Sequence, residues 1–526
     1  MNKSFKTLTS IKSLYTFVFL TTFVFISSVV GENLKERFTA DYIKNAEQLS
    51  TFRSFGTIKM GETIGSFEIM FSEPGKSRST LVLNNFQITQ VFDGRNGWMK
   101  DQNGQVSELS GADKRQLINT GWLLGKSYFL DNRMSGETKF LKDTIINSNS
   151  YDIFSAFPEG GDSLKMYFNP ATSRVEIIGE YLDGAEILTY LSDFREVDGF
   201  EMAFVTEAKS DIPELNSKIE IYEFEVNQQL DDTLFAFSIT PADDYFFPEF
   251  ADSIIIPMVY QRGHIFLKAA VDGNQAVYFI LDSGAGINFL NRSYADSLKL
   301  DLSGGVPAKG ISGYEKTTIT NLDSLKIGDL KLFQQNVAIV DLTNVGLDAP
   351  DGVLGGLLGF DFLSRFPVGI DYVKQTLIVY NPLVYQSPSL DYAINIKYNM
   401  KIPIVDAEIC GVSGRFLIDL GNALGLILHK PFVDNNNLSA AFTDINKIGR
   451  DIAGVGGKSE SYSAVAEYFT VGPAQLNELR VLVAEGEQGI LKSTDVDGNI
   501  GNGLLQNFSI ILDYPGQKIY IMPLEN

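Results

Sequence analysis

The sequence predicts a mainly β protein: an N-terminal curved antiparallel sheet with a helix, then two copies of a small all-β domain. Three observations predict it. Through the first 238 residues, short segments such as GSFEIMFSE, LKMYFNP and KIEIYEFEVN alternate apolar and polar residues between turns, the pattern of half-buried antiparallel strands. From about residue 251 the chain repeats itself once, in register over about 140 residues. The composition, 44% hydrophobic against 21% charged with 38 Phe and 22 Tyr, is that of packed domains and not of a disordered chain. At 526 residues the chain is too long for one core, so several domains are expected.

Residues 1–31 carry Lys3, Lys6 and Lys12, an apolar stretch from Leu14 to Val30, and small residues at Ser27, Ser28 and Gly31. This is the plan of a secretory signal peptide, and it predicts an exported protein, periplasmic or secreted. The competing reading is an uncleaved anchor, because the run from Ser13 to Val30 is near the shortest membrane span; the membrane would then be met only through this segment. Cys410 is the sole cysteine, which excludes intramolecular disulfides and leaves stability to packed cores. Residues 32–238 open on a helical pattern, ENLKERFTADYIKNAEQLSTF, and continue as alternating segments, giving a curved sheet with an early helix. The stretch ITPADDYFFP, with two prolines and adjacent acids, marks a linker over residues 239–250. The two copies of the repeat then fill residues 251–385 and 386–526.

Charge and residue inventory narrow the chemistry. A net charge of −22 offers no basic stripe to neutralise phosphates, which argues against a nucleic-acid partner. His264 and His429 are the only histidines and stand in no metal-ligand spacing, and no loop carries the spacing of calcium ligands, so no metal and no cofactor is expected. A Ser-His-Asp triad would lack its nucleophile elbow, since no Gly-x-Ser-x-Gly is present.

The repeat is where the chemistry concentrates. FILDSGAGINFL, Phe279 to Leu290, returns as FLIDLGNALGLIL, Phe416 to Leu428; Asp419 follows Asp282 by 137 residues, Gly454 follows Gly310 by 144, and Gly501 follows Gly359 by 142. FPVGIDYVKQTLIVY at Phe366 likewise parallels FSIILDYPGQKIYIM at Phe508. An apolar strand that ends on an aspartate, twice, raises the question of what the carboxyl does, because an ionised group is costly to bury without partners. Two carboxyls held side by side cannot both ionise, so they share a proton; one can take a proton from water while the other protonates a carbonyl. Glycine after each turn residue, Gly284 and Gly421, lets backbone N–H groups approach the carboxylates.

This order of landmarks resembles the retropepsin-like aspartic proteases, and the resemblance implies that the two copies are β-barrel lobes forming one bilobal module about a pseudo-twofold axis. The resemblance implies a catalytic pair, Asp282 and Asp419, acting on a polypeptide substrate. It makes Ser283, Gly284, Leu420 and Gly421 the residues that support the pair. Flap and substrate-binding hairpins would be Gly310, Ile311, Ser312, Gly313 and Tyr314 in the first lobe and Gly454, Val455, Gly456 and Gly457 in the second. Leu357-Leu358-Gly359 and Asn499-Ile500-Gly501 would pack beneath the two turns. The second copy departs from the pattern twice: Leu420 has no hydroxyl with which to brace the lobes, and Asn499 stands where an apolar residue is expected. The same residues also fit a catalytically weak or inactive module that binds an extended peptide, with Asp282 and Asp419 only capping turns.

The first part of the chain, through FSEPGKSR (Phe71–Arg78), FDGRNGW (Phe92–Trp98), YFNPATSR (Tyr167–Arg174) and DFREVDGFEMAF (Asp193–Phe204), resembles the periplasmic lipoprotein-carrier fold of the LolA type. That resemblance implies lipid or lipoprotein as a ligand of residues 32–238; the plain reading of these strings is hairpin turns, which any meander needs.

Overall fold

The computed structural model describes residues 33–524, apart from 85, 183–184, 238–241, 310–313, 344–347, 447–451, 455–456, 486–488 and 493–494. Residues 1–31, expected to be a signal peptide, therefore lie outside the described residues. The chain divides into two compact units, with the change from one to the other at Thr240 and Pro241.

In the N-terminal unit the described residues form one 13-stranded antiparallel sheet. Its centre is the pair Thr51–Met60 and Ser217–Val226, and its edges are Val106–Leu109 and Gly136–Ile146. The helix Gly111–Leu124 carries the chain between the two edges and packs on Lys76–Leu83, Phe86–Phe92 and Asn149–Pro158, so a half-barrel closes around it. Trp122, Phe129, Phe154, Met166 and Phe168 fill the space between helix and sheet. The helical pattern expected over residues 32–52 resolves into a 3-10 turn, Leu34–Arg37, and a short helix, Ala40–Ala46, started by the Thr39 side chain accepting from the Tyr42 N–H. The longer helix, Gly111–Leu124, was not anticipated because it buries Asp113, Gln116 and Asn119 among its inward residues and so shows little apolar periodicity. Among the described residues no helix is long and apolar enough to cross a membrane.

The C-terminal unit is two barrels on a shared platform. In the first lobe the strands run His264–Val271, Val277–Leu281, Leu354–Leu358, Phe289–Asn291, Leu330–Val340 and Tyr314–Ile327, and the last pairs back onto the first. The second lobe has the same order: Ile402–Ile409, Val412–Asp419, Gly498–Gly501, Leu426–His429, Ala474–Ala484 and Ser461–Val471, again closing on the first strand. Both aspartate-bearing strands pair in parallel with the strand of the glycine motif, Val277–Leu281 with Leu354–Leu358 and Val412–Asp419 with Gly498–Gly501. Strands buried on both faces read as unbroken apolar runs, which is why VYFIL and FLI stand out in the sequence.

The platform explains the pseudo-twofold. Pro367–Asp371 of the first lobe pairs antiparallel with Phe508–Asp513 of the second, Val368 opposite Leu512 and Ile370 opposite Ile510. These are the strands of the two matching segments, so the lobes meet through equivalent edges of one chain. A single core runs across the junction and includes Leu281, Phe360, Val368, Leu420, Ile510 and Leu512. The segment expected as a linker contributes to the first lobe: Tyr245–Phe246 pairs with Lys331 and Leu332, and Asp244 forms an ion pair with the buried Arg365.

Candidate active site

Each aspartate-bearing strand ends in a tight turn. Asp282 is anchored by its own N–H, which donates to the Leu358 carbonyl at 2.9 Å, and the Gly284 N–H donates to Asp282 Oδ1 at 2.8 Å. Asp419 Oδ1 accepts from the N–H groups of Gly421 and Asn422 at 3.0 and 3.1 Å. Both side chains are 0% exposed. Gly421 joins the two turns: a Cβ there would fall 2.5 Å from Asp282 Cγ, so the Asp282 carboxyl lies against the glycine whose N–H holds Asp419. Only a residue without a side chain admits that approach.

Cross-lobe bonds lock the turns together. The Ser283 hydroxyl donates to the Ile418 carbonyl at 2.8 Å and accepts from the Leu420 N–H at 2.9 Å. Leu420 offers no return bond, and its side chain is part of the apolar core. Asn502 makes a separate link across the junction. Its Nδ2 donates to the Leu420 carbonyl at 2.5 Å and to the Gly263 carbonyl at 3.0 Å, and its Oδ1 accepts from the Tyr372 hydroxyl at 2.6 Å. Gly263 and Tyr372 belong to the first lobe, so the link crosses the same junction in the other direction. In the first lobe the matching position is Phe360; Phe360 N–H bonds to Ala285 O and Asn502 N–H to Asn422 O, each at 2.8 Å. Neither Asn502 nor Asn422 was singled out by the sequence reading, and Asn499 was read only as a departure. The detectable signal was a cluster of three asparagines around two motifs that are otherwise apolar.

Asn499 Nδ2 donates to Asp419 Oδ2 at 2.6 Å, and its own Oδ1 accepts from Asn422 Nδ2 at 2.8 Å. Tyr514 lies beside the pair, its hydroxyl 3.5 Å from the Ser283 carbonyl; burial, helped by Tyr398 and by Asp282 and Asp419, pushes the phenol well above its ordinary range. His264 follows Gly263 and is buried, which pushes its imidazole down to about 4.

The structure describes the expected flap residues only in part. Gly310, Ile311, Ser312, Gly313, Val455 and Gly456 lie outside the described residues. Tyr314 begins the long strand Tyr314–Ile327, and Gly454 stands opposite Gly457 in a two-stranded hairpin, Ile452–Gly454 with Gly457–Ser459. Among the described residues no group of three or more His, Cys, Asp or Glu side chains could hold a metal ion. In the N-terminal unit a cavity of about 450 Å³ is lined by Tyr42, Lys126, Arg174, Arg195, Glu196 and Glu201 among others, with Arg174 and Glu201 paired.

The family model described as aspartyl protease matches residues 267–362. No curated protein matches the chain. Among solved structures, the chain is similar to an aspartic proteinase from Irpex lacteus, 12% identical over 52% of this chain and 98% of that one with a TM-score of 0.35. It is similar to a retropepsin-like aspartic protease from Rickettsia conorii, 26% identical over 24% of this chain and 89% of that one with a TM-score of 0.18. It is also similar to a LolA superfamily protein from Nitrosomonas europaea, 10% identical over 38% of this chain and 96% of that one with a TM-score of 0.28. The stretch that the aspartyl protease family model matches, residues 267–362, is the one that holds Asp282, Ser283, Gly284 and Leu357 to Gly359.

Proposed function

We propose that the chain is an exported aspartic endopeptidase that hydrolyses peptide bonds of polypeptide substrates with Asp282 and Asp419. The observation that carries this reading is the arrangement at Gly421, where two fully buried carboxyls from separate turns both lie against one glycine. Carboxyls so placed hold one proton between them. The ionised member takes a proton from water as the water oxygen attacks the peptide carbonyl carbon, and the other gives its proton to the carbonyl oxygen. The amide nitrogen of the resulting diol then takes a proton from the dyad as the C–N bond breaks, while a diol hydroxyl returns one, so the pair ends as it began. Export rests on the pattern of residues 1–31, and the repeated lobe on a duplicated ancestral unit. The cavity of the N-terminal unit carries Lys126, Arg174 and Arg195 on its walls, and we place the peptidase activity in the C-terminal unit, which holds Asp282 and Asp419.

The test uses chain beginning at Glu32, denatured protein as substrate, and a pH series. Cleavage is expected at acidic to mildly acidic pH and should disappear in Asp282→Asn and in Asp419→Asn, with the circular dichroism of both variants unchanged. Cleavage that survives either substitution overturns the dyad, and binding of peptide without cleavage at any pH makes the module a binder.

A further inference from the structure

The second lobe buries two amide side chains next to its aspartate where the first lobe has Ala285 and Leu357. Their orientation is fixed by the bonds themselves. The Leu424 N–H, which can only donate, binds Asn422 Oδ1 at 2.8 Å. Asn422 must then turn its Nδ2 toward Asn499, which accepts through Oδ1 at 2.8 Å. That leaves the Asn499 Nδ2 facing Asp419 Oδ2 at 2.6 Å. An amide flip at either residue would set two donors or two acceptors against each other, so a backbone N–H at one end dictates that the last member donates to the carboxyl.

We propose that Asn422 and Asn499 form a positioning relay that keeps Asp419 ionised, making Asp419 the base toward water and Asp282 the acid toward the carbonyl. The assignment rests on the peptidase reading above and deepens it. A donor held against a buried carboxylate favours the charged form, and here three donors converge on Asp419: the Gly421 and Asn422 N–H groups on Oδ1 and Asn499 on Oδ2. At the matching place in the first lobe, Leu357 has no group to donate. Asp282 and the Tyr514 phenol are titratable groups that the described structure sets near Asp419 from other elements; a second carboxyl opposes a second charge, and a phenol kept neutral adds none. The single proton of the pair therefore resides on Asp282.

Two variants test this, Asn499→Leu and the double change Asn422→Ala with Asn499→Leu, the second leaving no amide without its partner if the first folds poorly. Each is read by the pH profile of cleavage and by carboxyl titration of 13C-labelled aspartate, the Asp419 resonance being the one lost in Asp419→Asn. Loss of the Asn499 donor should move the acid limb of the profile, and the Asp419 titration with it, upward by about one to two pH units, while the alkaline limb stays in place. A merely structural role would lower the rate at every pH and move neither limb. Acid limb and resonance both within about 0.3 pH units of the parent chain overturn the relay. If the parent chain does not cleave, the peptidase reading fails, and the Asp419 resonance alone decides: an upward shift supports the relay and an unmoved one refutes it.

Discussion

Asn502→Leu is the sharpest test of how the lobes are held in register. The substitution keeps the number and branching of side-chain heavy atoms and removes the polar end of a side chain that is 0% exposed. Three partners lose their bond at once: the Leu420 carbonyl, the Gly263 carbonyl and the Tyr372 hydroxyl. A buried polar group left without a partner costs about 1–3 kcal/mol. Allowing for relaxation of the Tyr372 ring, the C-terminal unit should lose on the order of 3–6 kcal/mol. Tryptophan fluorescence is the wrong probe, because the two tryptophans, Trp98 and Trp122, both lie in the N-terminal unit. Hydrogen exchange at Gly501 and Gly503 reads the loss directly, since their N–H groups bond to Gly425 O and Leu424 O within the affected turn. Cleavage should fall with protection. Asn477→Leu, on an exposed strand position, is the control and should stay within about 0.5 kcal/mol of the parent. Protection at Gly501 unchanged to within that same margin, with full activity, would refute the claim that Asn502 braces the two lobes.

Three further outcomes are expected. Ser283→Ala strips partners from the Ile418 carbonyl and the Leu420 N–H and should cost about 2–4 kcal/mol with most of the activity, whereas Ser283→Thr should retain both; denaturant unfolding and cleavage assays separate them. Gly421→Ala forces a methyl to 2.5 Å from Asp282 Cγ; the carboxyl must move by about an ångström, and kcat/KM should drop about 100-fold for about 1–3 kcal/mol of stability, so full activity would exclude the arrangement. His264, pushed down to about 4 by burial from an ordinary 6.5, stays neutral in the fold while the unfolded chain takes up its proton. Its contribution is thus fully present above about pH 6.5 and is lost as pH falls toward 4, by about 3 kcal/mol in all; His264→Leu should flatten the slope of thermal stability across that window.

What could be read from the sequence followed from burial on two faces and from repetition. Val277–Leu281 and the FLI of Val412–Asp419 are apolar without a break because each pairs in parallel inside a barrel, so the turns after them were visible. The platform pair was visible because its strands are the repeated segments themselves. The Gly111–Leu124 helix was hidden for the opposite reason: Asn119 faces inward to exchange bonds with the backbone of Asp162, and a buried amide looks like an exposed one in a string of letters. The docking of residues 244–246 was hidden by distance, since Asp244 answers to Arg365, 121 residues later. A local window of prolines and acids reads as linker whatever it meets in space.

The asparagines around the second turn make the same point about function. Taken singly, Leu420 loses a hydroxyl and Asn499 inserts a polar group into an apolar motif, and both look like damage. The structure couples each to a third residue: Asn502 reaches the carbonyl of Leu420, and Asn422 supplies the donor that Asn499 needs in order to face Asp419 correctly. Either amide of the Asn422–Asn499 pair alone would bury a polar group with one bond missing, so the pair is stable only as a pair. The prediction is non-additivity. The stability losses of Asn422→Ala and Asn499→Leu should together exceed the loss of the double variant by about 1 kcal/mol or more, because each single change leaves the other amide short of a partner. Simple additivity in that double-mutant cycle would mean that the two amides sit side by side without depending on each other, and the departure at 499 would then be a loss after all.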